Sequence, residues 1–177
     1  PGAFTTALAD AAIAAGARQL VVLGAGLDGR AWRLDSLRDV TVFEVDHPAT
    51  QRGKRQRVEG RPVAAAAVRF VAVDFERDSL DQRLVESGHD ASLNTAWIWE
   101  GVTPYLHPPA IDATLDAVLE DPPCDVMVIG GKGETLPRRL LVPFVTGHDT
   151  PVALLLARAS PFGSDLFVLR YRSAWPS

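Results

Sequence analysis

Three glycines, Gly24, Gly26 and Gly29, stand in the spacing G-x-G-x-x-G within VVLGAGLDGRAWRL, residues 21–34, and carboxylates recur beyond them at Glu44, Asp46, Asp74 and Glu100. Glycine lets a backbone come close to a ligand that a side chain would hold away. Set between an apolar run and a helix-forming segment, here with Ala25 between the first two glycines, it makes the turn over which nucleotide-bearing ligands lie, at a helix N-terminus. A carboxylate about twenty residues past the first glycine can accept hydrogen bonds from both hydroxyls of a ribose. Glu44 and Asp46 share a face by strand alternation, and both stand as that partner.

Asp74 is suited to an exocyclic adenine amine, with the backbone amide of Phe75 available to a ring nitrogen and the Phe75 side chain beside the ring. Glu100 interrupts the apolar strand end WIWEGV, and an acid there requires a partner: a ligand amine or a neighbouring amide. Asp28 reads either as a cap of the following helix or as a site residue. Acids after three successive strands favour a ligand carrying ammonium and sulfonium charges, S-adenosylmethionine, over NAD, whose adenine usually lies in an apolar cleft.

The elements that would carry these residues alternate between strand and helix. TTALADAAIAA, 5–15, is a helix with Leu8, Ala12 and Ala15 near one face and Gly16 as its stop. QLVVLG, VTVFEVD (40–46), VRFVAVDFE (68–76), TAWIWEG (95–101) and DVMVIGG (125–131) read as strands, their apolar runs suited to a parallel sheet covered on both faces. Helices are expected over ATQRGKRQRV, SLDQRLVESG, AIDATLDAVLED and TLPRRLLVPFV, and PVALLLARA and DLFVLRYRS pair as a hairpin. The fold class expected is α/β: a doubly wound, mostly parallel sheet with right-handed crossovers and an antiparallel C-terminal strand. Ligands of such sheets bind beyond the carboxyl ends of the strands, where the strand order reverses.

Several side chains are assigned to structure instead. Trp97 and Trp99 belong to the core of a central strand, Tyr105 to packing, and the run RGKRQR, Arg52 to Arg57, to a solvated helix face. RPVAAAAV is a linker or helix end. The four histidines are scattered without metal-ligand spacing, so no metal site is expected, and the single cysteine, Cys124, reads as a buried structural thiol.

With 177 residues the chain fits one domain, too short for the two of a typical dehydrogenase. A formal charge of −4 gives no electrostatic basis for a nucleic-acid partner, and no apolar run is long enough to span a bilayer. A cytoplasmic location is expected. The start at Pro1, inside a helical pattern, reads as a processed or truncated one.

Taken together, VVLGAGLDGRAWRL, VFEVDHP, VDFE and WEGVTPYLHPPAID resemble, in order and spacing, the leucine carboxyl methyltransferase-like family, which includes mycobacterial S-adenosylmethionine-dependent methyltransferases and bacterial polyketide O-methyltransferases. The resemblance covers residues 4 to 120. It implies a class I methyltransferase fold, with cofactor contacts on the glycine loop at Gly24, on Asp46, on Asp74 with Phe75, and on Glu100, and it prefers Asp46 to Glu44 as the ribose partner. Three departures stand out. Gly29 replaces the family's usual threonine, the cofactor-binding arginine of the family's N-terminal helices has no counterpart before Arg18, and the substrate-covering insertion is reduced to KGETLPRRLLVPFVTGHDT.

The expected chemistry is methyl transfer to an oxygen of a small molecule. A carboxylate acceptor is already ionised near neutral pH and needs no general base; a phenol could draw on Tyr105, His107 or His148. Two other readings stand beside it: a degenerate cofactor-binding module without turnover, and an NAD-dependent oxidoreductase built on the three glycines and Glu44.

Overall fold

The computed structural model describes residues 2–119, 124–131, 152–157 and 165–171. Elements follow in the order α1 (Gly2–Ala14), β1 (Gln19–Leu23), α2 (Arg30–Arg33), β2 (Thr41–Asp46), α3 (Pro48–Val58), β3 (Ala67–Ala72), α4 (Leu80–Glu86), β4 (Thr95–Glu100), α5 (Pro108–Leu119), β5 (Cys124–Gly131), β6 (Val152–Ala157) and β7 (Asp165–Tyr171). They form one seven-stranded sheet in the order β3-β2-β1-β4-β5-β7-β6. The first five strands are mutually parallel, and β7 runs antiparallel to both β5 and β6. The expected hairpin and antiparallel C-terminal strand are therefore present. The expected helix TLPRRLLVPFV, the shortened insertion, His148 and the side chain of Cys124 lie outside the described residues.

Strand β1 is apolar on both sides because both sides are covered. Val21 and Leu23 join Phe43, Val45, Trp97 and Trp99 under Leu80 and Leu84 of α4 and Ile111, Leu115 and Val118 of α5. Leu20 and Val22 point the other way, to Val42, Ile98, and Ala9 and Ala12 of α1. The two tryptophans are core residues as expected. Along α1 the inward face carries Thr5, Ala9 and Ala12, while Ala15, expected there, is exposed beyond the helix end.

Two boundaries differ from expectation. Strand β3 stops at Ala72, so Asp74 and Phe75 belong to the loop beyond it. Helix α2 is a single turn of 4 residues, too short to act as an extended dipole, so the glycine loop must recognise a ligand through its own backbone and neighbouring side chains. Helix α4 starts at the N-cap Ser79, whose hydroxyl accepts from the Gln82 amide at 3.4 Å. Ser79→Ala is expected to lower stability by about 1 kcal/mol in urea unfolding.

Candidate functional site

The order of strands reverses between β1 and β4, and the loops following those two strands meet. Gly24, with φ +65°, lies so close to Val102 that a Cβ built on it would stand 2.1 Å from Val102 Cγ2. Gly26 also takes a positive φ, +47°. Gly29 does not: its φ of −112° is open to other residues, and a Cβ there would meet only the flexible end of Arg33. Two of the three glycines are therefore demanded by the backbone, which leaves the dinucleotide fingerprint without its third member.

Gly24 separates two hollows. The larger, about 430 Å³, is lined by Asp46, His47 and Thr50 after β2, by Val73, Asp74, Phe75 and Glu76 after β3, and by Gly101, Val102, Tyr105 and Leu106 after β4. The smaller, about 190 Å³, is lined by Ala25, Asp28, Arg30 and Glu100 together with strand residues of β1 and β4. Of the residues singled out in the sequence, Gly24, Asp46, Asp74 and Phe75 border the first hollow, and Gly24, Ala25 and Glu100 the second. Gly26 borders neither. Its amide instead donates to Asp46 Oδ2 at 2.5 Å, while the His47 amide donates to Oδ1 at 2.7 Å, so the carboxylate is held from two sides with lone pairs left over for a ligand.

Asp74 Oδ1 accepts from the Glu76 amide at 3.1 Å, and the Asp74 amide donates to Asp78 Oδ2 at 2.9 Å. The loop after β3 is thus folded around its own acids. Glu76 Oε1 in turn accepts from the His107 amide at 2.9 Å and lies 3.1 Å from His107 Nδ1, which ties that loop to the start of α5. Those contacts, the backbone bond first, hold the Glu76 carboxyl below its usual range.

Two assignments are corrected. Glu44 does not reach the cleft: it is 2% exposed and ion-paired at 2.6 Å with Lys54 of α3, itself 4% exposed. Sharing a face with Asp46 does not expose it, because in the middle of β2 that face is covered by α3. Burial pushes its carboxyl up to about 7, with Asp28 and Asp46 adding to the rise and the Lys54 ammonium opposing it. The basic run is accordingly not all solvated; Arg52, Arg55 and Arg57 are exposed, but Lys54 turns inward beneath Trp32, 5.4 Å from its ring. Tyr105 is likewise not a packing residue, being 84% exposed at the rim of the larger hollow.

The sequence also concealed Arg30. It is 5% exposed and pairs with Asp28 and, at 3.3 Å, with Glu100. Asp28 Oδ1 accepts from the Arg30 amide at 2.8 Å, so Asp28 both turns the chain into α2 and borders the smaller hollow. In both hollows acids outnumber bases, with Asp46, Asp74 and Glu76 in the larger and Asp28 and Glu100 against Arg30 in the smaller, a setting that favours a ligand with positive charge. Among the described residues no cluster of side chains could hold a metal ion, and no helix is long and apolar enough to cross a membrane.

A model of the leucine carboxyl methyltransferase family matches residues 2–119, the part of the chain that contains every residue of both hollows. The chain belongs to the leucine carboxyl methyltransferase family. The chain is also similar to proteins from Mycobacterium avium, 48% identical over 118 residues (65% of this chain, 36% of the relative), and Saccharopolyspora erythraea, 45% identical over 111 residues (62% and 38%). Each bears the name "Putative S-adenosyl-L-methionine-dependent methyltransferase". The chain thus spans little more than a third of the length of these curated relatives.

Among solved structures, the methyltransferase domain of bacterial CtHen1 superposes with a TM-score of 0.59 over 96% of each chain at 14% identity. An O-methyltransferase family protein from Burkholderia thailandensis does so with a TM-score of 0.59, over 97% of this chain and 57% of that one, at 17% identity. Likeness at such low identity speaks to fold alone. It agrees with the strand order in giving this leucine carboxyl methyltransferase family member a class I, Rossmann-like methyltransferase fold.

Proposed function

We propose that the chain carries the cofactor site of an S-adenosylmethionine-dependent methyltransferase that transfers a methyl group to a carboxylate or hydroxyl oxygen of a small molecule. One observation carries this reading: Gly24 forms the divide between a hollow that offers Asp46, Asp74 and Phe75 and a hollow that offers Glu100. The donor set fits both ends of the cofactor. Asp46 suits the ribose hydroxyls, Asp74 and the Phe75 amide the adenine edge, and Glu100 the ammonium of the amino-acid tail. The names of the relatives support the same cofactor.

When bound, S-adenosylmethionine supplies an electrophilic methyl group on a sulfonium. The chain's own residues supply placement. Gly24 and Gly26 hold the loop in conformations closed to most side chains, Val102 backs it, and the acids on either side attract the positive charge. For a carboxylate acceptor this is sufficient in principle, since the nucleophile is already ionised and the barrier falls through alignment and exclusion of water. The oxidoreductase reading loses its basis, because Gly29 is not required by the backbone and Glu44 is buried against Lys54.

Isothermal titration with S-adenosylhomocysteine tests the reading. Asp46→Ala and Asp74→Ala are each expected to weaken binding by about tenfold or more, the effect of losing a charge-assisted hydrogen bond. Unchanged affinity in both variants would remove the assignment.

A further inference from the structure

Arg30 and Thr5 meet Glu100 at the smaller hollow, whose wall includes Arg30, and both are nearly fully buried. Arg30 is 5% and Thr5 0% exposed. The guanidinium donates through Nε to Thr6 Oγ1 at 3.1 Å, pairs through Nη1 with Asp28, and donates through Nη2 to Thr5 Oγ1 and to Glu100 Oε2, the last at 3.3 Å. The Thr5 hydroxyl in turn donates to the same Glu100 oxygen at 3.0 Å. A guanidinium has five N–H groups, so these four contacts leave it little capacity for a ligand. Glu100 shows the opposite balance. Both contacts fall on Oε2, and among the described residues Oε1 accepts none, although the side chain borders the hollow and is 25% exposed.

Building on the cofactor reading, we infer that Thr5 and Arg30 are positioning residues that clamp one oxygen of Glu100 and so aim the other at the ammonium of the ligand's amino-acid tail. Helix α1 thereby becomes part of the site, its Thr5 relaying between an arginine 25 residues on and a carboxylate 95 residues on. The chemistry accounts for the arrangement. A carboxylate on the end of a strand can rotate about its side-chain torsions, and an ammonium is bound well only when an acceptor is already in place. Arg30 also lowers the cost of holding Asp28 and Glu100 close together before a cation arrives.

Two ligands separate this role from a general effect on the fold. S-adenosylhomocysteine carries the amino-acid tail, whereas 5′-methylthioadenosine shares its nucleoside and sulfur but lacks the tail. With the 177-residue chain, Thr5→Val and Arg30→Lys are expected to weaken the first ligand by about tenfold and the second by less than about twofold. Thr5→Ser is expected to restore wild-type affinity, and in a Glu100→Ala background Thr5→Val should add almost nothing, the clamp having nothing to hold. Thr5→Val keeps the shape of the side chain, so it decides the matter even if Arg30→Lys does not fold. Equal weakening of both ligands, or an undiminished affinity of Thr5→Val for S-adenosylhomocysteine, overturns the clamp and leaves the cofactor reading standing. A wild-type chain that binds neither ligand overturns both.

Discussion

Gly24→Ala is expected to weaken S-adenosylhomocysteine by about a hundredfold and to destabilise the fold, whereas Gly29→Ala, five residues later in the same loop, changes either by little. The contrast follows from the backbone. At φ +65° a Cβ brings a local penalty of about 1–2 kcal/mol. It would also stand 2.1 Å from Val102 Cγ2 and 3.2 Å from Val102 Cβ, so the loop after β1 or the loop after β4 has to move by roughly an ångström. Those loops border both hollows, and a displacement of that size at a positioning element costs about two orders of magnitude. Gly29, at φ −112°, meets only the end of the Arg33 side chain, which can swing aside. The double variant Gly24→Ala/Val102→Gly separates the two causes: it relieves the overlap and keeps the torsional penalty, so affinity should recover in part. A Gly24→Ala chain with wild-type affinity would show that the loop tolerates a side chain and that the close approach is incidental.

How far the sequence foretold this site depends on the range over which its determinants act. The central strands β1 and β4 are legible because burial on both faces makes each a nearly continuous apolar run, and the glycine loop is legible because Gly24 and Gly26 follow directly from β1. Asp46, Asp74 and Glu100 could be placed because each comes at the carboxyl end of a strand or just past it, where an α/β sheet presents its ligands. Glu44 was misread for a related reason. Alternation tells which residues share a face but not what covers it, and two residues separate an acid at the strand end from one beneath α3. The length of α2 could not be read from helix-forming residues alone. Arg30 is not legible in the sequence because two of its partners, Thr5 and Glu100, lie 25 and 70 residues away and only the folded sheet brings them to it. Tyr105 was assigned to packing by residue type, yet the short turn that carries it ends at the cleft rim and turns the ring outward.

Replacing Lys54 by methionine should destabilise the fold by about 3 kcal/mol at pH 8 and by far less at pH 5, although the residue lies outside both hollows. In the wild-type fold Glu44 titrates near 7, against 4.5 for an ordinary glutamate. As pH rises between those values the unfolded chain releases its proton first, so the folded state binds more protons and stability falls with pH; below the window both states are protonated, and above it both are ionised. Without the Lys54 ammonium, the influence that opposed the rise is gone, and the Glu44 carboxyl moves further up. The pH-dependent loss then continues beyond 7, and the gap between variant and wild type widens toward alkaline pH. At pH 5 the carboxyl is protonated in both folded proteins, and the variant lacks only the contact of the ammonium with a neutral Glu44 and its packing against Trp32. Glu44→Gln combined with Lys54→Met removes both charges at once and should recover most of the stability while flattening its pH dependence. Urea unfolding at several pH values measures all three proteins. A constant difference between Lys54→Met and wild type from pH 5 to pH 8 would mean that Glu44 keeps an ordinary carboxyl in the fold, and that desolvation on the inner face of β2 is weaker than its burial implies.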